Sequence, residues 1–368
     1  MLLFLLAATL ALLLAGVGLP RMSAMAPAFW AHLVLAVGVL ALIAAAMQHF
    51  VPVLTRGRGA GAWLGRLPWG LSAAGALAAA VFAGLLPWQG LAPAAMAGVA
   101  GALVMLVWMR RRARAALGTP HPGLAWYVAA MACLALGLAA AAMIPFVPAW
   151  QASLRAFHLH LNLYGFVGLT AVGTLAVLMP TVTGRPDPEA GLRLRADLGW
   201  ALAGALGMAT GKALALPWLV LAGVVAWLWP LSRMLTAWWR LYRREIVAWH
   251  GHAPVLGAAA LGYAAALLLN IIDPDPGQGP LIVFLPGFLF ALVSGAAGQL
   301  APVWAAPGAA TAQHRAGQAR LGRHGGPRAI LLLASAGLPL LGYGCAGMPG
   351  LTALLWFMGL FAAWLYRD

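Results

Sequence analysis

The sequence predicts an all-α, polytopic membrane protein with about twelve transmembrane helices in three pseudo-repeats of four. Three observations lead to this prediction. Of the 368 residues, 64% are hydrophobic and only 8% are charged, which lies outside the composition of soluble domains. Apolar runs of membrane-spanning length follow one another along the chain. Every fourth run then carries matching residues at the same spacing.

The apolar runs define the predicted helices. A helix needs about 20 apolar residues to cross the hydrocarbon core, and proline, glycine or arginine clusters separate the runs. They lie near residues 2–19, 27–53, 69–88, 92–109, 123–145, 156–182, 196–211, 214–238, 248–272, 281–305, 328–346 and 349–366. We expect one transmembrane domain over residues 1–368, with pseudo-repeats of approximately 1–118, 119–246 and 247–368.

The net charge of +15 is explained by membrane topology and does not indicate a nucleic-acid partner. Arginines concentrate after the even-numbered runs, whereas the odd-numbered connections carry only Arg21, Arg155 and Lys212. Cytoplasmic loops of membrane proteins are enriched in Lys and Arg. We therefore predict a multi-pass protein of the inner cell membrane, embedded in the lipid bilayer, with both termini cytoplasmic.

The second, sixth and tenth runs share a register, which defines the repeat. His32 and His160 are each followed twenty residues later by a proline, and so is Ile282. The offsets between these runs are 128 and 122 residues, which is four predicted helices each time. Repeats of this kind determine architecture. The alternative is chance matching within ordinary low-complexity membrane sequence.

The sixth run opens with two histidines in "RAFHLHLNLYGF", which starts at Arg155. Polar groups at membrane depth are costly unless they are used. Neutral imidazole is a common axial ligand of haem iron, and two histidines from facing helices suit electron transfer. The repeat puts His32 and His160 at equal depth, so this pair is expected to hold a b-type haem. His158 lies on another side of the helix and is expected to serve a second haem or copper.

Further candidates flank these positions. Arg21 and Arg155, on the predicted outer side, are expected to pair with haem propionates. On the predicted cytoplasmic side, His49, His250 and His252 are weaker candidates for a second metal site. On both sides of the membrane, the alternative is that these histidines are interfacial and bond to backbone, water or lipid headgroups.

Three quartets of helices, with histidines near the outer ends of the second and sixth, resemble the catalytic subunit I of haem-copper oxidases. The stretch "FHLHLNLYGFVGLTAVGTLAVLMPTVTGRP" more closely resembles NnrS-like proteins, which are membrane proteins associated with haem, copper and resistance to nitric oxide. This match covers about 30 residues. It implies haem b iron, with copper as a further metal. It also implies a role in electron transfer, nitrosative-stress tolerance or metal handling, with a redox partner or a gas such as nitric oxide.

The departures from the oxidase pattern limit what the resemblance implies. The oxidases carry a His-His pair in helix 7 and further histidines in helix 10, and neither run has a histidine here. Oxygen or nitric oxide reduction of that type is therefore not expected, and whether the protein is an enzyme stays open. A transporter or channel for a small molecule or metal ion is the alternative function. The absence of an acidic residue at mid-membrane counts against it.

Overall fold

The computed structural model describes residues 1–20, 23–116, 118–272, 281, 283–308, 311–343 and 347–366. These residues form helices joined by short connections, and no strand occurs among them. The helices are α1 (Leu2–Gly18), α2 (Pro27–Thr55), α3 (Leu67–Phe82), α4 (Trp88–Arg114), α5 (Gly123–Met143), α6 (Pro148–Thr183), α7 (Ala190–Ala213), α8 (Pro217–Ile246), α9 (Ala253–Ile272), α10 (Phe284–Ala305), α11 (Ala312–Leu321), α12 (Gly325–Gly337) and α13 (Gly347–Leu365).

Eight of these helices are long and apolar enough to cross a membrane, namely α2, α4, α5, α6, α8, α9, α10 and α13. The mean hydropathy of their most apolar stretches ranges from 1.5 to 2.3. Large apolar side chains also lie open on their surfaces, as with Trp218 at 65% and Leu103 at 51% exposure. A soluble protein does not expose such a surface so extensively, so this chain is a membrane protein.

The shorter helix α11 lies between the predicted apolar runs near residues 281–305 and 328–346. Thr311 begins it with a capping box, in which the Thr311 hydroxyl accepts from the backbone N–H of His314 and the His314 ring accepts from that of Thr311. Its sequence, "AQHRAGQARL", is polar, so a search for apolar runs does not detect it. The capping pattern was the available signal, although it uses histidine where glutamate or glutamine is usual.

Three helices contain a π-helical segment, in which the backbone turns are wider than in an α-helix. These segments are Leu33–Val39 in α2, Leu161–Val167 in α6 and Phe284–Leu289 in α10. Their last residues are 128 and 122 residues apart, which are the offsets of the sequence repeat. Each of the three helices also contains a proline towards its end, at Pro52, Pro180 and Pro302.

The chain divides into two compact units. Unit 1 comprises Met1–Gly18, Leu175–Pro188 and the described part of Leu231–Asp368, and unit 2 comprises Leu19–Thr174 and Glu189–Pro230.

Glycines allow close helix packing beside a π-helical segment within each unit. In unit 2, a Cβ added at Gly75 of α3 would lie 2.5 Å from the carbonyl carbon of Ala36 in α2. In unit 1, a Cβ at Gly262 of α9 would collide with the carbonyl oxygen of Gly287 in α10. Small residues are what permit backbones to approach this closely in membrane proteins.

Candidate functional site

His32 of α2 and His158 of α6 come together in unit 2. Their ring centroids are 6.3 Å apart and their ring planes are 8° from parallel. Both side chains are half-buried, and both lie just before the π-helical segment of their helix. The structure therefore places His158 against His32, whereas the sequence repeat had led us to pair His32 with His160.

Backbone carbonyls select the tautomer of both rings. The Nδ1 atom of His32 lies 2.7 Å from the carbonyl oxygen of Ala28. That of His158 lies 3.0 Å from the carbonyl oxygen of Gly137 in α5. A carbonyl can only accept, so each Nδ1 carries a hydrogen, and the lone pair of the neutral ring is on Nε2. Nε2 is therefore the atom with which either ring would bind a metal.

The rings are stacked, and their centroid separation lies within the span of two ligands of one metal ion. Two imidazoles that bind one metal ion through bonds of about 2.0 to 2.1 Å, with about 1.1 Å from each nitrogen to its ring centre, would have centroids at most about 6.2 to 6.4 Å apart. The observed separation is 6.3 Å. The donor chemistry agrees as well, because a histidine ligand usually donates its other ring N–H to a carbonyl or carboxylate.

Asn162 and Gly137 support the His158 ring. The Asn162 amide nitrogen donates to the backbone carbonyl of His158 at 2.8 Å and lies 3.0 Å from its Nδ1. Because that Nδ1 donates to Gly137, it cannot also accept from the amide nitrogen, so Asn162 acts on His158 through the bond to its backbone carbonyl. A Cβ added at Gly137 would lie only 3.0 Å from the same amide nitrogen. The absence of a side chain at Gly137 thus allows α5 to bring its carbonyl to the ring.

Aromatic side chains cover His32. Phe82, the last residue of α3, stacks on the His32 ring with centroids 4.6 Å apart and an angle of 29°. Trp88 meets Phe82 edge to face at 5.8 Å. These rings form an apolar wall that fixes the orientation of His32 and limits access of water to it.

His160 occupies a different environment on α6. It is fully buried, its Nδ1 donates to the carbonyl oxygen of Ala156 at 2.8 Å, and its ring lies 6.1 Å from that of Tyr164. Tyr164 is also fully buried, and its carbonyl accepts a hydrogen bond from Trp227. His160 therefore belongs to the packed interior of unit 2.

The structure describes one of the two arginines that the sequence places on the outer side. Arg155 is exposed, lies three residues before His158 on α6, and is close enough to His32 to act on it electrostatically. It remains available to an anionic group at this end of the site. Arg21 lies outside the described residues.

The predicted cytoplasmic histidines are divided between the units, with His49 in unit 2 and His250 and His252 in unit 1. The His250 Nδ1 accepts from the backbone N–H of His324 at 3.0 Å. Its neutral ring therefore carries the hydrogen on Nε2, which suits a metal ligand poorly. No group of three potential metal-ligating side chains occurs in the described part of the chain.

Sequence reasoning had not singled out Phe82 or Gly137 as parts of the site. Neither carries a polar side chain, and their roles depend on which helices are neighbours. The available signals were the position of Phe82 at the end of a predicted helix and a glycine inside the apolar run of α5.

Comparisons with models of known protein families, with characterised proteins and with solved structures gave no match.

Proposed function

We propose that this chain is a haem-binding integral membrane protein in which His32 and His158 are the two axial ligands of a b-type haem iron. The supporting observation is the near-parallel pair of rings at 6.3 Å, with both Nδ1 atoms tied to backbone carbonyls. Two neutral nitrogen donors without an acidic ligand suit a haem iron, whose porphyrin supplies the remaining ligands.

Bound in this way, the haem supplies one-electron redox chemistry. The chain holds the iron through His32 and His158 and keeps the His158 ring in place through Gly137 and Asn162. Phe82 limits access of water. Arg155 offers a positive charge to a propionate. With His32 and His158 both holding the iron, a bound haem would supply electron transfer rather than substrate binding.

The resemblance to NnrS-like proteins extends this proposal to nitric oxide tolerance or metal handling, with copper as a further metal. A redox partner or nitric oxide would then act at this site. His160 is adjacent in sequence, but its burial against Tyr164 favours a packing role over a second metal site.

The proposed topology has twelve transmembrane helices in three repeats of four, in the inner membrane and with cytoplasmic termini. The matching offsets of the π-helical segments and of Pro52, Pro180 and Pro302 support the repeat. The distribution of arginines supports the orientation. In this topology His32 and His158 lie near the outer face, where a periplasmic redox partner would reach them.

The test is an absorption spectrum of the full chain, purified in detergent from cells supplied with haem. We expect a Soret band, sharp bands on reduction that are typical of low-spin iron, and a pyridine haemochrome of haem b. His32→Ala and His158→Ala should each abolish this spectrum.

His160→Ala is the matched control, because it removes an imidazole from the same helix, and it should keep the spectrum. A colourless wild-type protein from haem-replete cells would refute the proposal. So would a protein in which His158→Ala keeps the low-spin spectrum while His160→Ala loses it, since that result would restore the pairing of His32 with His160.

A further inference from the structure

Arg328, in the first turn of α12 in unit 1, is a buried cation with an incomplete set of partners. Arg328 is only 1% exposed. Nη2 donates to the carbonyl oxygen of Leu321 at 3.0 Å, whereas Nε and Nη1 have no hydrogen-bond partner among the described residues. Arginine stays charged in proteins, and a buried charge without a partner is costly.

The groups around Arg328 supply only partial negative charge. Leu321 is the last residue of α11, so its carbonyl lies at the negative end of that helix. The Phe357 ring of α13 lies 5.2 Å from the guanidinium carbon, which is a cation–π distance. No carboxylate pairs with Arg328 in the part of the chain that the structure describes. A full counter-charge is therefore missing.

A second buried polar group of unit 1 faces the same helix end. His252 is 4% exposed, and its Nε2–H donates to the carbonyl of Gln318 in α11 at 3.0 Å. Its Nδ1 is buried and has no partner among the described residues. Burial lowers the pKa of His252 to about 4, and the charge of Arg328 lowers it as well. His252 is thus a neutral ring within electrostatic reach of Arg328.

The backbone packs tightly around the His252 ring. A Cβ added at Gly298 of α10 would lie 2.5 Å from Nδ1 of His252, and one at Gly322 would lie 3.2 Å from its Cε1. Backbone therefore approaches the ring from two directions.

We propose that Arg328 binds one small monovalent anion such as chloride. The anion accepts from the Nε–H and Nη1–H groups and supplies the charge that the Leu321 carbonyl and the Phe357 ring supply only in part. A buried water could satisfy the same donors, but it would leave the guanidinium charge uncompensated. The site lies within unit 1 and does not depend on haem binding in unit 2.

The test uses the full chain in detergent and two measurements. Equilibrium binding of radioactive chloride should be saturable, with one site per chain. Thermal unfolding followed by tryptophan fluorescence should show a saturable rise of Tm in sodium chloride relative to sodium gluconate at equal ionic strength, because a ligand that binds only the folded state stabilises it.

Arg328→Gln should abolish both responses, and Arg328→Lys should weaken chloride binding because lysine keeps the charge and loses the planar donors. Arg323→Gln removes an exposed arginine five residues away and should keep both responses. Absence of saturable chloride binding to the wild type would overturn the proposal, as would undiminished binding by folded Arg328→Gln. If Arg328→Gln does not fold, unchanged affinity in Arg328→Lys would overturn it and weakened affinity would support it.

Discussion

The most direct test of the groups that support the His158 ring is Gly137→Ala. Gly137 lies inside α5, where alanine is favoured over glycine by about 1 kcal/mol from helix propensity alone. At this position, however, the new Cβ would lie 3.0 Å from the Asn162 amide nitrogen and 3.4 Å from its Cγ. Favourable contacts between heavy atoms begin at about 3.5 Å, so the amide or α5 has to move by a few tenths of an ångström.

That displacement is large on the scale of metal coordination. Metal–ligand distances in working sites stay within about 0.2 Å of their ideal values, and the moved groups carry the carbonyl and the amide that hold the His158 ring. Loss of a supporting group of this kind costs about 10- to 100-fold in metal affinity. We therefore expect the proposed haem to dissociate about 10- to 100-fold faster from Gly137→Ala than from the wild type.

The assay is the rate of haem transfer from the purified protein to an excess of a haem-scavenging apoprotein, followed in the Soret region. Gly199→Ala is the control, because a Cβ at Gly199 of α7 meets nothing within 4 Å. Equal transfer rates for Gly137→Ala, Gly199→Ala and the wild type would refute the role that we assign to the Gly137 carbonyl.

Three further predictions follow from other parts of the structure. Phe82→Ala opens one face of the His32 ring and should speed haem transfer in the same assay, whereas Phe4→Ala, at an exposed surface position, should leave it unchanged. Because the pKa of His252 falls to about 4 in the folded chain from about 6.5 when unfolded, the unfolded state binds more protons between these values. Stability should therefore fall by about 3 kcal/mol at most as the pH is lowered from 6.5 to 4, and His252→Gln should flatten that part of a Tm–pH profile. Gly262→Ala forces a methyl group against the Gly287 carbonyl and should destabilise unit 1 by about 1 to 3 kcal/mol, while Gly359→Ala, which meets open space, should not. Unfolding monitored by tryptophan fluorescence separates these two glycine variants, and equal Tm values would contradict the predicted clash.

The class of the protein could be predicted from sequence because lipid imposes a simple constraint. A chain that crosses the bilayer needs long apolar helices, and each predicted run overlaps a helix in the structure. The helix α11 escaped this reasoning because it is polar. The start of α6 escaped it too, since its first turns carry Gln151 and Arg155 and hydropathy recorded only the apolar stretch that follows.

The histidine that lies against His32 was hard to predict from the sequence. The repeat suggests the depth of a residue along its helix, and it led us to choose His160 as the partner of His32. It does not specify which direction a side chain faces. That direction depends on neighbouring helices: the Gly137 carbonyl of α5 binds His158, while His160 turns towards Ala156 and Tyr164 of its own helix.

The kind of acceptor at Nδ1 has a consequence for the oxidation state that the site would favour. Both imidazoles donate to uncharged peptide oxygens and not to a carboxylate. A carboxylate would draw the proton away and make the ligand a stronger electron donor, which stabilises ferric iron. Peptide oxygens leave the imidazoles weakly donating in apolar surroundings, so a haem held here would have a comparatively high reduction potential and would act more readily as an electron acceptor.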